Sequence, residues 1–234
     1  MERPKVICHM MSSIDGRILT ANWGSKYQSL GLNKIYETIH ESFDADAWLC
    51  GRVTMEKDFT DGAKPIIKPG HHKIERLDFV GDKTADSFAI AIDKDGKIGW
   101  EKNEISGDQV IAVLTEKVAD GYLAHLQDIG ISYIFAGTDE LNFKLALEKL
   151  GNLFGIKTIM LEGGGHLNGS MLDAGLVDEI SLLLLPLVDG TIGSATSFDI
   201  DDEHRKLPAQ MLSVIETQTL AHGVLHVKYK VDHA

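Results

Sequence analysis

Short apolar runs alternate along this chain with segments whose apolar residues repeat at helical spacing. Lys5 to Met11 (KVICHMM) predicts a first strand. Residues 30–43 place Leu32, Ile35, Tyr36, Ile39 and Phe43 on one helical face. A short buried strand over 46–51 ends in glycine. A strand over 87–93 precedes the tight turn expected of Asp95-Gly96. Strands over 109–115 and 132–137 flank a helix over 118–130 that Gly130 should end. A helix over 141–155 carries Phe143, Ala146, Leu147, Leu150 and Phe154 on one face. A strand over 156–165 runs into three glycines, a short helix over 167–176 and a strand over 178–188. The chain closes with two strands around His222-Gly223.

Strands alternating with helices predict an α/β fold whose largely parallel sheet is covered on both faces. The apolar run SLLLLPLV suits a central strand, with the ladder bending or ending near Pro186. The final hairpin makes the sheet mixed. Residues 56–86 are polar and bear glycine and proline, which predicts a long surface excursion and not a linker. A single domain over 1–234 is expected.

Composition narrows the function. The 234 residues carry a formal charge of −12 and no Lys/Arg cluster, which argues against a nucleic-acid partner. A small anion would have to be held locally, by backbone N–H groups and a few placed cations. The opening MERPKVICHM lacks a leader's apolar stretch, and no apolar run is long enough for a membrane span. Cys8 and Cys50, both inside apolar runs, read as buried thiols of a reducing, cytoplasmic compartment.

Three junctions carry candidate chemistry. At residues 162–167 a strand passes through Gly163, Gly164 and Gly165 into a helix, which offers backbone N–H groups and a helix dipole to phosphate. The spacing fits neither a Walker loop nor a Rossmann fingerprint. A mobile turn is the competing reading, and His166 lies within the loop. At LCGRVTME, Gly51 again ends a strand, Arg52 adds charge, and Thr54 is placed to cap a helix or bind phosphate. Two such junctions suit a dinucleotide. At MMSSIDGRI, Asp15 follows the first strand, at the edge where open α/β sheets bind ligands. An ordinary Asp-Gly turn remains open there. His71-His72 lacks a third ligand at metal spacing, and no nucleophile elbow or zinc-deaminase motif is present.

Together MSSIDGRI, DAWLCGRVTME and LEGGGHLNGSMLDAGLVDEISLLLLPLVDG resemble the reductase domain of riboflavin biosynthesis, the C-terminal half of the bifunctional deaminase-reductase. The resemblance runs from Val6 to the final hairpin. It implies a dihydrofolate-reductase-like fold, a stand-alone reductase and a homodimer. It also implies NADPH as cofactor, held by Gly51, Arg52, Thr54 and by Glu162, Gly163, Gly164, Gly165, His166 and Leu167. Thr115 and Lys117 become candidates for the adenosine 2′-phosphate. Asp15 becomes the residue that orients the substrate or handles its proton, with Ser13, Ser25 and Lys26 on the substrate side. The implied reaction reduces the ribosylamino group of 5-amino-6-(5-phosphoribosylamino)uracil to its ribitylamino form. One departure stands out: HESFDADAWLCG has no arginine where the family usually carries one before this strand. The alternatives are a reductase of a pteridine or another small C=N compound, and a non-catalytic NADP(H)-binding module.

Overall fold

The computed structural model describes residues 3–69, 73–82, 84–201, 203 and 205–232; His71 and His72 lie outside them. In chain order the elements are β1 (Lys5–Ser13), α1 (Gly24–Ser29), α2 (Leu32–Glu41), β2 (Ala47–Gly51), α3 (Arg52–Asp58), β3 (Phe88–Ile92), β4 (Glu104–Ile105), β5 (Asp108–Leu114), α4 (Asp120–Ile129), β6 (Ser132–Phe135), α5 (Phe143–Phe154), β7 (Thr158–Leu161), α6 (Gly165–Asp173), β8 (Glu179–Leu185), β9 (Met211–Thr219) and β10 (Leu225–Asp232). The chain forms two compact units. One comprises Met1–Pro4 and Asp46–Ile159, the other Lys5–Ala45 and Met160–Ala234.

In the first unit β2, β3, β5 and β6 pair in parallel, and β4 returns antiparallel on β5. Parallel strands covered on both faces need apolar residues at successive positions. FAIAI of β3 supplies them and is buried throughout. The helices end and begin where the residue types require. Gly130 and Gly155 adopt left-handed φ after α4 and α5, and Asn142 caps α5 by accepting from the Leu145 N–H at 3.0 Å. Ala146, Leu147 and Leu150 form the buried stripe of α5.

The 56–86 stretch is more ordered than its composition predicts. Its start is α3, and later it lies against α4 and β6. Lys68 N–H donates to the Gly121 carbonyl at 3.2 Å, where a Cβ on Gly121 would strike the Lys68 carbonyl. Phe79 and Tyr133 exchange both backbone hydrogen bonds at 2.9 Å, which covers part of the β6 edge. Asp78 accepts from Phe135 N–H and Lys149 Nζ, each at 2.9 Å. Such long-range backbone contacts leave no periodic trace in the sequence. The six-residue α1 and the two-residue β4 leave no clear trace in the sequence either, since neither is long enough to repeat a period twice.

In the second unit β8 runs parallel to β1 and antiparallel to β10, and β10 pairs with β9. β8 stops at Leu185, immediately before Pro186, as the missing N–H of proline requires. Tyr27 and Leu32 pack with Leu183, Leu185 and Val224, and this cluster seats α1 and α2 on the sheet. The fold is thus α/β with a mainly parallel sheet and a C-terminal antiparallel hairpin.

Candidate active site

In the first unit the candidate residues follow the carboxyl ends of parallel strands. Gly51–Thr54 follows β2 and Thr115–Lys117 follows β5, on the same edge of one sheet. Gly51 is the N-cap of α3, with no side-chain cap. Thr54 lies inside that helix, so it does not cap it. Arg52 is bonded to Glu56 one turn on, at 2.6 Å, and this holds the guanidinium beside the helix start. Thr115 is buried and its hydroxyl donates to the Lys94 carbonyl at 2.8 Å, which ties the end of β5 to the turn after β3. Lys117 is exposed and paired with Asp139 at 2.8 Å. Lys73, Arg76 and Lys117 line one recess with Glu116 and Thr138.

In the second unit the glycine loop has two structural causes. Gly163 has φ +95°, a conformation that favours glycine, and its backbone lies against the Met10 side chain. A Cβ on Gly165 would strike the Thr196 carbonyl and the Asp199 carboxylate. Asp199 N–H also donates to the Gly165 carbonyl at 3.0 Å. The chain's own 196–199 segment therefore requires bare backbone at Gly165. Gly164 is the N-cap of α6 and, like Gly51, supplies no side-chain cap. Each of these helix starts leaves its first N–H groups without a capping side chain. His166 is exposed at the α6 start, whereas Leu167 is buried in the core.

Asp15 is exposed on the turn after β1. Its two oxygens accept from the Asp189 and Gly190 N–H groups at 3.1 and 2.9 Å. The Ser13 hydroxyl, then those N–H groups, hold its carboxyl down at about 2. This geometry ties the loop after β8 to the end of β1. Ser13 is buried and its hydroxyl accepts from Arg17 N–H at 2.9 Å. Ser25 and Lys26 are exposed on α1.

Sequence reasoning missed a polar chain through the second unit. His9 lies in the middle of β1 and is fully buried, with its ring stacked on Tyr36 at 4.2 Å. His9 Nε2 is 3.3 Å from the Tyr36 carbonyl, which can only accept, so this nitrogen carries the proton. His9 Nδ1 then accepts from the Ser181 hydroxyl at 3.0 Å, and His226 Nε2 donates to Ser181 Oγ at 2.8 Å. His9 and Ser181 face each other in the β1–β8 register. The Tyr36 hydroxyl donates back to the His9 carbonyl at 3.1 Å. One turn along α2 from Tyr36, His40 Nδ1 is 2.7 Å from Glu162 Oε1, directly before the glycine loop. The available signal was a polar residue flanked by apolar ones within each strand: His9 in VICHMM, Ser181 in ISLLLL and His226 in VLHV.

With this geometry in hand, the comparisons decide the family. A model of the RibD C-terminal domain matches residues 4–225. The chain belongs to the RibD C-terminal domain family. Two relatives are each called 2,5-diamino-6-ribosylamino-4(3H)-pyrimidinone 5′-phosphate reductase. The Methanothermobacter thermautotrophicus protein is 28% identical over 234 residues, covering 98% of this chain and 99% of the relative. The Aquifex aeolicus protein is 26% identical over 193 residues, covering 81% and 80%. Among solved structures, a pyrimidine reductase-like protein of Corynebacterium diphtheriae superposes with TM-score 0.65 at 17% identity, covering 99% of this chain and 93% of its own. The yeast riboflavin biosynthesis reductase Rib7 gives 0.62 at 16% identity, covering 98% and 90%. At such identities the structures establish the family's fold in this chain.

Two predictions follow from the packing and the polar chain. Gly165→Ala should lose about 1–3 kcal/mol of stability in urea denaturation, because the 196–199 segment must shift; an unchanged midpoint would refute the close-packing account. Burial first of all lowers the His9 pKa from 6.5 to about 4. Between these values the unfolded chain binds the extra proton, so stability is lost as pH falls through that window, by on the order of 3 kcal/mol. His9→Gln should flatten this part of the stability profile, and parallel profiles for the two proteins would remove His9 as its source.

Proposed function

We propose that this chain is a nicotinamide-dependent reductase of riboflavin biosynthesis. It reduces the ribosylamino group of a pyrimidine 5′-phosphate to the ribitylamino form. The observation that carries this reading is the match over 98% of the chain to a relative named for that reduction. Both curated names specify the 2,5-diamino pyrimidinone, which favours it over the deaminated uracil as substrate. Both substrates present the same sugar and the same carbon to be reduced.

In the first unit Gly51 and Arg52, and separately in the second Gly163 to His166, present helix starts without side-chain caps, each suited to a phosphate of the cofactor. When bound, the dihydronicotinamide supplies the hydride. NADPH is favoured over NADH because Lys73, Arg76 and Lys117, beside Glu75 and Glu116, line one recess beyond β5 and offer three cations to a 2′-phosphate. Thr115 serves as the clamp behind that recess, since its hydroxyl is bonded to Lys94. Asp15, bonded to the loop after β8, positions the substrate-side loop and does not supply a proton. Ser13 supports that turn, and Ser25 and Lys26 offer exposed contacts to an anionic substrate. A single reductase domain over 1–234 is consistent with one family match across 4–225. No helix among the described residues is long and apolar enough to cross a membrane. Cys8 and Cys50 are buried thiols, which suits the reducing cytoplasm.

The partner protein we propose is a second copy of the chain. β9 is exposed along its length and carries Met211, Leu212, Val214 and Ile215 outward. An apolar edge strand of this kind favours pairing.

Purified protein should oxidise NADPH faster than NADH with the 2,5-diamino pyrimidinone phosphate, and its melting temperature should rise with saturating NADPH. A rise without turnover would favour the non-catalytic binding module, and turnover with a pteridine alone would favour the alternative reductase. In sedimentation the protein should run as a dimer, and Val214→Lys with Ile215→Lys as a monomer. A monomeric parent protein would rule out the β9 interface.

A further inference from the structure

α1 is six residues long and carries the exposed Ser25 and Lys26. A helix this short is not stable alone in water, so contacts outside it must fix where those two side chains lie. Gly24 and Gly31 flank it in left-handed conformation, and a Cβ on either would meet open space. Neighbouring atoms therefore do not brace the backbone at these two positions. Toward its C-terminal end α1 is anchored by Tyr27, which is buried in one cluster with Leu32, Leu183 and Leu185. The Tyr27 hydroxyl also donates to the Asn33 side chain.

The anchor at the other end comes from the loop after β8. Trp23 is the N-cap residue of α1, and its Nε1 donates to Asp189 Oδ2 at 3.2 Å. The indole ring meets Tyr27 edge-on, with 4.8 Å between centroids. Asp189 Oδ1 accepts from Thr191 N–H at 3.0 Å, which closes the loop on itself. Asp189 N–H donates to Asp15 Oδ1 at 3.1 Å. Asp189 thereby joins the turn after β1, the loop after β8 and the start of α1. The Thr191 hydroxyl, then its N–H, Asn22 and Trp23, lower the Asp189 pKa, so the acceptor stays a carboxylate into mild acid. A hydrogen bond to an ionised acceptor is stronger than one between neutral groups.

We propose that Asp189 is a positioning residue of the reduction. Through the Trp23 indole it holds α1 so that Ser25 and Lys26 bind the 5′-phosphate of the substrate. The proposal rests on the reductase reading above and deepens it. A hydroxyl and an ammonium at adjacent positions offer a donor and a cation to an anion, whereas the pyrimidine ring carries no charge for Lys26 to meet. The Asp189 carboxylate would repel a phosphate, so it acts through Trp23 and not by contact.

Steady-state kinetics with NADPH and the 2,5-diamino pyrimidinone phosphate tests this, with the same compound lacking its phosphate alongside as substrate or competing inhibitor. Asp189→Ala should raise the KM for the phosphorylated compound about tenfold, as expected for losing a hydrogen bond to a charged group, with kcat and the KM for NADPH within about twofold of the parent. Asp189→Asn keeps an acceptor for the indole and should restore most of the parent KM. Trp23→Phe removes the N–H and keeps a ring against Tyr27; it should raise the same KM, and the double variant should add little to it. Trp23→Phe also serves where Asp189→Ala fails to fold. The constant for the unphosphorylated compound should be the same in parent and variants, a selectivity that general destabilisation would not produce. Folded variants with the parent KM overturn the proposal and leave the reductase reading standing, as do equal losses for both compounds or additive effects of the two substitutions. A parent protein that binds NADPH but reduces no pyrimidine phosphate overturns the reductase reading, and the proposal with it.

Discussion

A histidine buried in the middle of an apolar strand must have both ring nitrogens satisfied, and this demand organises the second unit. Leaving either nitrogen unbonded costs on the order of 1–3 kcal/mol. His9 meets it with the Ser181 hydroxyl on β8 and the Tyr36 carbonyl on α2, and His226 completes the chain from β10. Three strands and a helix are therefore registered by one set of hydrogen bonds. A slip of one residue in β1 or β8 would turn His9 or Ser181 to the other face and break the chain. The apolar cluster around Tyr27, Leu32, Leu183 and Val224 drives α2 onto the sheet, but such packing tolerates small shifts. The polar chain sets the position, and His40 reaches Glu162 as a consequence.

The glycine loop shows how one sequence feature can meet two demands. Three glycines between a strand and a helix suggest a ligand that needs bare backbone. Gly165 is instead required by the 196–199 segment, and Gly163 by its left-handed φ. Only the uncapped start of α6 remains as an offer to a ligand, and it matches the uncapped start of α3 at Gly51. Asp15 makes a similar point. An exposed aspartate at a strand end reads as a residue that orients a substrate or handles its proton, and its two oxygens also hold the loop after β8.

Family membership and geometry constrain function at different levels. The match over residues 4–225 assigns the family. The names of the relatives direct attention to a phosphorylated ribosylamino-pyrimidine. Within that reading each junction loop is proposed as a seat for phosphate, and the recess lined by Lys73, Arg76 and Lys117 as the feature that selects the cofactor. HESFDADAWLCG carries no arginine in the stretch before β2, which follows the end of α2.

Periodicity and turn chemistry by themselves determined the order of the main strands and helices, the end of α4 at Gly130, the stop of β8 near Pro186 and the mixed sheet. These features are local, since each depends on residues within a few positions of one another. The glycine junctions and the family motifs were also legible, because they are contiguous. The order imposed on residues 56–86, the helix position of Thr54, the commitment of Thr115 to Lys94 and the His226–Ser181–His9 chain were decided only by the tertiary structure. Each joins groups far apart in sequence, and a hydrogen bond between distant residues has no periodic signature. His40 and Glu162 stand 122 positions apart along the chain, and only folding brings a histidine on a helix face to the carboxylate before the glycine loop.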